Sequence, residues 1–187
     1  EMTNWGAHGI DQIQWALGTD DTGPVDLKPL STGPNGQVSM RYANGVKLNF
    51  VIEPGRGPMG GAVFTCEKGK LEINRNKFTS NPLDIAEELR KKVDITEEER
   101  KWSDELALCQ ARWHMHDWLD CIRSRNKPVA DVEIGHRSIT VCHLANITRA
   151  VGRPLRWDPK RERFEGDDEA NAHLERPRRA GFELPSA

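Results

Sequence analysis

Two stretches of alternating apolar and polar residues, joined by Asn44-Gly45, constrain the fold of this 187-residue chain more than any other feature. The apolar residues that alternate with polar ones on either side of this pair are Val38, Met40, Tyr42, Val46, Leu48, Phe50 and Ile52. An Asn-Gly pair between alternating runs is the strongest short-range signal for a tight β-hairpin, because both residues tolerate positive φ. The sequence therefore predicts antiparallel strands at 37–42 and 46–52.

More strands are predicted on both sides of this hairpin. Their ranges are 25–30, 62–66, 70–74 and 77–80. Lys68-Gly69 supplies the turn of a second hairpin. Strands that follow one another through short turns form an antiparallel meander. We therefore expect residues 25–80 to build one sheet.

Helical periodicity frames this sheet. Ile10, Ile13 and Leu17 recur at helical spacing, and Trp15 is expected to extend their apolar face. The predicted helices are 4–17, 82–92, 102–125 and 134–151, with a short one at 167–174. Segregated strands and helices predict the α+β class, with an open, mainly antiparallel sheet and helices packed on one face. The expected organisation is a single domain over 1–187, with a leading helix at 1–18, the sheet at 25–80, helices at 82–152 and a wrapping tail at 153–187.

Composition argues against several classes of protein. The net charge is −2 and 30% of residues are charged, with both signs interleaved, so no basic stripe indicates nucleic-acid binding. No apolar run reaches the roughly 18 residues that a membrane span requires. The four cysteines form no CxxC pair, which favours reduced thiols over disulfides or structural zinc. Reduced thiols make the cytoplasm the default location, although an export signal could precede Glu1.

Motifs for nucleotide and metal sites are missing from the sequence. The glycine-rich stretch at 55–61 lies between predicted hairpins, Pro58 removes an amide from any phosphate cradle, and no helix follows. This stretch is therefore interpreted as a loop. We expect no Rossmann domain, no cofactor-binding residue and no metal ligand within this chain.

The first candidate constellation is formed by Asn4, His8 and Asp11. Their spacing of i, i+4 and i+7 places them on one face of the first helix. A histidine flanked by an amide and a carboxylate can be held in one tautomer for acid/base work. The alternative is that Asn4 caps the helix and His8 is a satisfied residue near its start.

Two further constellations favour structural roles. At 112–121, His114 and Trp118 are one turn apart, whereas His114 and His116 cannot share a helical face to bind a metal. This stretch is interpreted as an amphipathic helix whose tryptophans dock into the sheet or a partner. At 131–138, Asp131 or Glu133 is expected to cap the next helix.

These stretches together resemble the Gfo/Idh/MocA oxidoreductases, in particular their carboxy-terminal domain. The matching signatures are TNWGAH at 3–8 with Asp11, His114 with WLDCIRS at 118–124, Lys127-Pro128, and EIGHRS at 133–138. LRWDP at 155–159, Phe164 and DDEAN at 167–171 resemble a bacterial subgroup of that family. The resemblance spans nearly the whole chain.

The resemblance implies an NAD(P)-dependent enzyme that oxidises a secondary alcohol of a sugar or polyol. It implies a Rossmann domain that this chain lacks, substrate bound between the two domains, and homo-oligomers formed through the open sheet face. His8 matches the family's catalytic histidine, and Asn4, Asp11 and His114 are assigned to substrate binding. The chain alone is expected to bind neither NAD nor NADP and to be inactive.

One position departs from the family pattern. The family often carries Asp where this chain has Asn4, and an amide cannot accept a proton. The general base is then His8 or a lysine of the missing domain. Two alternatives stay open: a non-catalytic sheet module for binding or oligomerisation, and, less favoured, a metal-dependent hydrolase that uses His8, His114 and His136.

Overall fold

A computed structural model describes residues 2–51, 61–74, 77–92 and 106–183 of the chain. These residues fall into two compact units, one built from Glu1–Pro58 with Arg137–Ala187 and the other from Met59–His136. The first unit is therefore formed by the two ends of the chain, and the second by its middle. Residues 55–60 of the predicted glycine-rich loop, and Ile52 of the predicted strand, lie outside the described residues.

The described elements comprise five helices and eight strands. The helices are α1 (Trp5–Leu17), α2 (Asp84–Lys92), α3 (Leu106–Ser124), α4 (Val132–Val151) and α5 (Asp168–Ala172). The strands are β1 (Pro24–Pro29), β2 (Val38–Tyr42), β3 (Lys47–Phe50), β4 (Ala62–Cys66), β5 (Gly69–Asn74), β6 (Lys77–Asn81), β7 (Leu155–Asp158) and β8 (Arg163–Phe164). Most of these bounds lie within two residues of the predicted ones.

The hairpin at Asn44-Gly45 is confirmed. Strands β2 and β3 pair antiparallel, with Met40 opposite Leu48. Gly45 has φ of 89°, and the Tyr42 amide donates to the Val46 carbonyl at 2.9 Å. Positive φ at this position is what an Asn-Gly turn provides without steric cost.

The strands divide into two antiparallel sheets, not one. The first unit has the order β3-β2-β1-β7-β8, and the second has β4-β5-β6. The expected wrapping tail thus supplies two strands, and β7 pairs with β1 through Leu155 opposite Leu27. Four residues of alternation at 155–158 are too short to predict a strand, and pairing with a partner so distant in sequence leaves no local signal. The short helix α5 lies within the predicted range.

The core of the first unit lies between its sheet and two helices. Ile10 of α1 is 2% exposed, and Val141 and Cys142 of α4 are fully buried. The other core residues are Met2, Leu27, Val38, Met40, Leu144, Ala145, Ile147, Leu155, Trp157, Phe164 and Ala170. Burial of these alternating and helical positions supplies most of the stabilising free energy. The predicted α+β class, an antiparallel sheet with helices on one face, is confirmed.

Trp15 does not extend the buried face of α1, and that prediction was wrong. Its side chain is 77% exposed, whereas Gln14 is fully buried. At 100° per residue, position 15 lies about 140° around the helix from Ile10, but position 14 lies only about 40° away. The helical angle therefore places the polar Gln14, and not the tryptophan, against the core.

Gln14 is the centre of a buried hydrogen-bond network. Its Nε2 donates to the carbonyl oxygens of Thr19 at 3.0 Å and Thr22 at 2.9 Å. Its Oε1 accepts from the Thr19 hydroxyl at 2.9 Å and from the Tyr42 hydroxyl at 2.6 Å. Gly18, with φ of 62°, ends α1 and turns the chain into this loop. The network joins the end of α1 to β2.

Tyr42 is expected to resist ionisation while the chain is folded. Burial raises the pKa of its phenol well above the usual range, and the nearby Cys142 acts in the same direction. The folded state favours the neutral phenol, so Tyr42 contributes to the stability of the fold. This contribution is fully present below about pH 10, the ordinary pKa of tyrosine, and is lost as the pH rises further. Because Tyr42 is the single tyrosine, the ultraviolet absorbance of tyrosinate reports on it alone. We expect this absorbance to appear only together with alkaline unfolding. A folded chain that titrates like the denatured one would contradict this expectation.

The face of the five-stranded sheet that points away from the core is polar. Its side chains include Asp26, Lys28, Ser39, Arg41, Asn49 and Arg156. Asp26 lies opposite both Arg41 and Arg156, and it forms an ion pair with Arg41. Arg156 in turn contacts Glu165 at 3.0 Å. Arg41 and Arg156 are thus each paired with a carboxylate of the same chain.

The second unit contains the three-stranded sheet with α2 and α3. Phe64 lies opposite Leu71, and Ile73 opposite Phe78, so these apolar side chains share one face. The Ser80 hydroxyl accepts from the Ala86 amide at 2.8 Å and thereby ties α2 to β6. Among the described residues, no helix is both long and apolar enough to cross a membrane.

Candidate functional site

The exposed face of α1 carries the three residues that spacing had placed together. Asn4, His8 and Asp11 are all exposed; His8 and Asp11 lie one turn apart on α1, and Asn4 precedes the helix at its N-cap. Ile10 and Gln14, at neighbouring angles around the helix, are buried. The core thus fixes the rotation of α1, and this rotation presents an amide, an imidazole and a carboxylate to the outside.

Asn4 occupies the N-cap position of α1 without using its side chain as a cap. Its carbonyl accepts from the Ala7 amide at 3.1 Å, but no side-chain cap hydrogen bond is present. The capping interpretation of its side chain was therefore wrong. The amide group is exposed, where it can donate to or accept from a ligand.

His8 lies beside an aromatic ring. The ring centroids of His8 and Trp5 are 5.8 Å apart, with an angle of 51° between their planes. A tilted arrangement at this distance is favourable and restricts the imidazole. Sequence reasoning did not assign this role to Trp5.

Asp11 is held by a residue from a distant part of the chain. The Ser138 hydroxyl on α4 donates to Asp11 Oδ1 at 2.7 Å. Ser138 is 5% exposed, whereas Asp11 is exposed. This contact joins the first predicted constellation to the third, and no feature of either local pattern had indicated it.

His114 lies on α3, in the second compact unit. It is exposed, as is Trp118 one turn later. Trp113 and Trp118 are 50% and 53% exposed, so neither tryptophan is a core residue here, and their docking stays a prediction. The assignment of His114 to substrate binding also stays a prediction.

The structural role expected at the third constellation is confirmed for Asp131. Its Oδ1 accepts from the Glu133 amide at 3.0 Å, and its carbonyl accepts from the Gly135 amide at 3.2 Å. These contacts satisfy amides that a helix start leaves without intrahelical partners. Asp131 therefore caps α4, the helix that carries Ser138 about two turns further on.

The described residues do not fit a dinucleotide. Every strand pair among them is antiparallel, so they contain no βαβ unit whose glycine-rich turn would cradle a pyrophosphate. Within the same residues, no group of three or more His, Cys, Asp and Glu side chains is placed to hold a metal ion. The chemistry of the site is thus that of His8 and its polar neighbours.

Comparison with known families decides the identity of the domain. The family model for the oxidoreductase family, C-terminal alpha/beta domain, of the Gfo/Idh/MocA group, matches residues 1–184. The chain belongs to this oxidoreductase family. The resemblance based on the short motifs is therefore confirmed. In this Gfo/Idh/MocA domain the TNWGAH signature leads into α1, and the EIGHRS signature lies in the first turns of α4.

A solved structure also resembles the Gfo/Idh/MocA domain. It is an oxidoreductase from Agrobacterium radiobacter in complex with NAD+, L-tartaric acid and magnesium. The two chains are 15% identical with a TM-score of 0.40, and the match covers 81% of this chain and 47% of the other. This chain thus corresponds to about half the length of that oxidoreductase. A search of the curated proteins gives no match.

Proposed function

We propose that this domain is the substrate-binding and oligomerisation part of an NAD(P)-dependent oxidoreductase that acts on a secondary alcohol of a sugar or polyol. The observation that carries the proposal is the shared exposed face of Asn4, His8 and Asp11, within a domain of an oxidoreductase family. Hydroxyl-rich ligands require several hydrogen-bonding groups at fixed spacing. An amide, an imidazole and a carboxylate on one helix provide them.

His8 is assigned the catalytic role. Oxidation of an alcohol requires a base that takes the hydroxyl proton as the carbon loses its hydride. A neutral imidazole can accept that proton, and the Trp5 ring beside it restricts the orientation of the imidazole. Asn4 and Asp11 bind neighbouring hydroxyls. The family resemblance also assigns His114, in the second unit, to substrate binding.

Asn4 limits the choice of base. The carboxamide cannot take a proton, so it serves as a hydrogen-bonding group for the substrate. His8, or a lysine contributed by another domain, is then the proton acceptor. The nicotinamide cofactor supplies the hydride-transfer chemistry, and we assign its binding to a Rossmann domain outside these residues.

The open polar face of the five-stranded sheet is proposed as the surface through which copies of the protein associate. In a two-fold interface identical patches face each other, so an unbalanced patch would repel itself. On this face the Arg41–Asp26 and Arg156–Glu165 ion pairs neutralise four charges and so lower this repulsion, while Lys28 and Lys47 add positive charge. Sedimentation equilibrium of the full-length gene product measures the association, and a monomer would refute it.

Calorimetric titration of NAD and NADP tests the assignment of the cofactor. We expect no binding to the 187-residue chain, because its described residues build no cradle for a dinucleotide. We expect binding to the full-length gene product. If neither protein binds either nucleotide, the oxidoreductase proposal fails, and the non-catalytic binding module becomes the better interpretation.

A further inference from the structure

We propose that Ser138 is a positioning residue that holds the Asp11 carboxylate in the orientation in which it accepts a hydrogen bond from a substrate hydroxyl. The inference rests on the proposed function, since it concerns the same substrate site on α1. It adds to that site a residue from α4, which lies 127 positions further along the chain.

The geometry of the contact is that of a short, strong hydrogen bond. The Ser138 Oγ to Asp11 Oδ1 distance is 2.7 Å, within the range of hydroxyl-to-carboxylate bonds. Ser138 is 5% exposed, and the following residues Val141 and Cys142 are fully buried in the core. The donor is therefore fixed by packing, while its acceptor lies on an exposed helix face.

The direction of the Ser138 hydroxyl distinguishes it from an ordinary helical hydroxyl. Within a helix, Ser and Thr side chains commonly donate back to the carbonyl four residues earlier. Thr148 does so on the same helix, with its Oγ1 2.7 Å from the Leu144 carbonyl. Ser138 instead reaches the carboxylate of another helix. Its hydroxyl thus orients Asp11.

The contact leaves Asp11 able to bind a ligand. An ionised carboxylate has two oxygens with about four acceptor sites, and Ser138 uses one of them. An exposed carboxylate would otherwise sample several rotamers, and ordering such a side chain on binding weakens affinity. Ser138 orders the Asp11 side chain before the ligand binds, so this entropy is not lost on binding. The ligand class that benefits is a neutral donor of hydroxyl groups, such as a polyol.

The test compares Ser138→Ala with Thr148→Val in the full-length gene product. Thr148→Val removes a buried hydroxyl from the same helix but leaves α1 untouched. For Ser138→Ala we expect the KM of the sugar or polyol to rise about three- to tenfold, the cost of one freed side chain. If the contact stabilises the bound substrate and the transition state equally, its loss leaves kcat within about twofold of the wild-type value. The KM of the cofactor is expected to stay unchanged, and Ser138→Thr to restore the substrate KM.

A double-mutant cycle with Asp11→Ala separates positioning from a general loss of structure. If Ser138 acts through Asp11, Ser138→Ala has no further effect on the substrate KM once Asp11 is alanine. Asp11 is exposed, so Asp11→Ala is expected to fold even if Ser138→Ala does not. In that case Asp11→Asn, which keeps an acceptor for Ser138, is expected to bind substrate more tightly than Asp11→Ala.

Each result decides between distinct conclusions. Any of three results would overturn the role of Ser138 alone. The effects in the cycle could be additive, or Ser138→Ala could have the same substrate KM as Thr148→Val. The third is that Asp11→Asn and Asp11→Ala bind substrate with equal affinity. A wild-type protein that turns over no sugar or polyol with either nucleotide would refute the proposed function, and the role of Ser138 with it.

Discussion

Replacing Gln14 with leucine is expected to lower the free energy of unfolding by about 3 kcal/mol or more, because several buried groups lose their partners at once. Gln14 is fully buried, and it bonds two carbonyls, the Thr19 hydroxyl and the Tyr42 hydroxyl. Leucine fills a similar volume but satisfies none of these groups. Urea unfolding followed by circular dichroism measures the loss, since the denaturation midpoint shifts in proportion to stability.

Gln12→Leu is the matched control for this experiment. The same substitution two residues earlier removes a side chain whose Oε1 is buried without a hydrogen-bond partner among the described residues. Removing an unsatisfied buried acceptor is expected to be neutral or stabilising. If both variants unfold at the wild-type urea concentration, the Gln14 network contributes little and its assignment as a structural centre is wrong.

Replacing His8 with alanine is expected to lower kcat of the full-length enzyme about 10²- to 10⁴-fold, the usual contribution of a positioned general base. His8 is exposed, so the substitution removes the proton acceptor and its contact with Trp5 without opening the core. The rate of nucleotide reduction with a sugar or polyol substrate measures the effect. The affinity for the cofactor is expected to stay unchanged, because we assign its binding to another domain.

His143→Ala provides the comparison for His8. This histidine is exposed on α4, and it belongs to none of the three constellations. We expect its replacement to leave kcat within about twofold, as for most surface substitutions. A similarly mild effect of His8→Ala would transfer the role of base to another group, such as the lysine that the family resemblance implies.

Local patterns predicted the elements of this fold far better than their arrangement. The β2–β3 hairpin followed from alternation around Asn44-Gly45, both of which lie within one short window. The partner of β1 on its other side did not, because β7 begins at Leu155, more than a hundred residues later. Sheet order is decided by the packing of distant segments, and one sequence carries no direct record of such pairing.

Local patterns likewise predicted one part of the candidate site and missed another. Asn4, His8 and Asp11 were found together because helical spacing alone places them on one face. Ser138 lies in a stretch that is interpreted as a helix cap, and only the tertiary contact between α4 and α1 brings it to Asp11. Gln14 carried no signal either, because a polar residue next to Trp15 gives no sign of burial.

The central strand of the first unit has a consequence for synthesis on the ribosome. While translation proceeds through the middle of the chain, β1 can already pair with β2, but its other edge stays unpaired until Leu155 and its neighbours emerge. Unpaired strand edges recruit strands from other molecules, and amino-terminal segments are the first to be exposed. A nascent chain that stalls before β7 therefore exposes an unpaired edge of β1 to other chains. A chain whose synthesis continues through β7 pairs this edge within the same molecule.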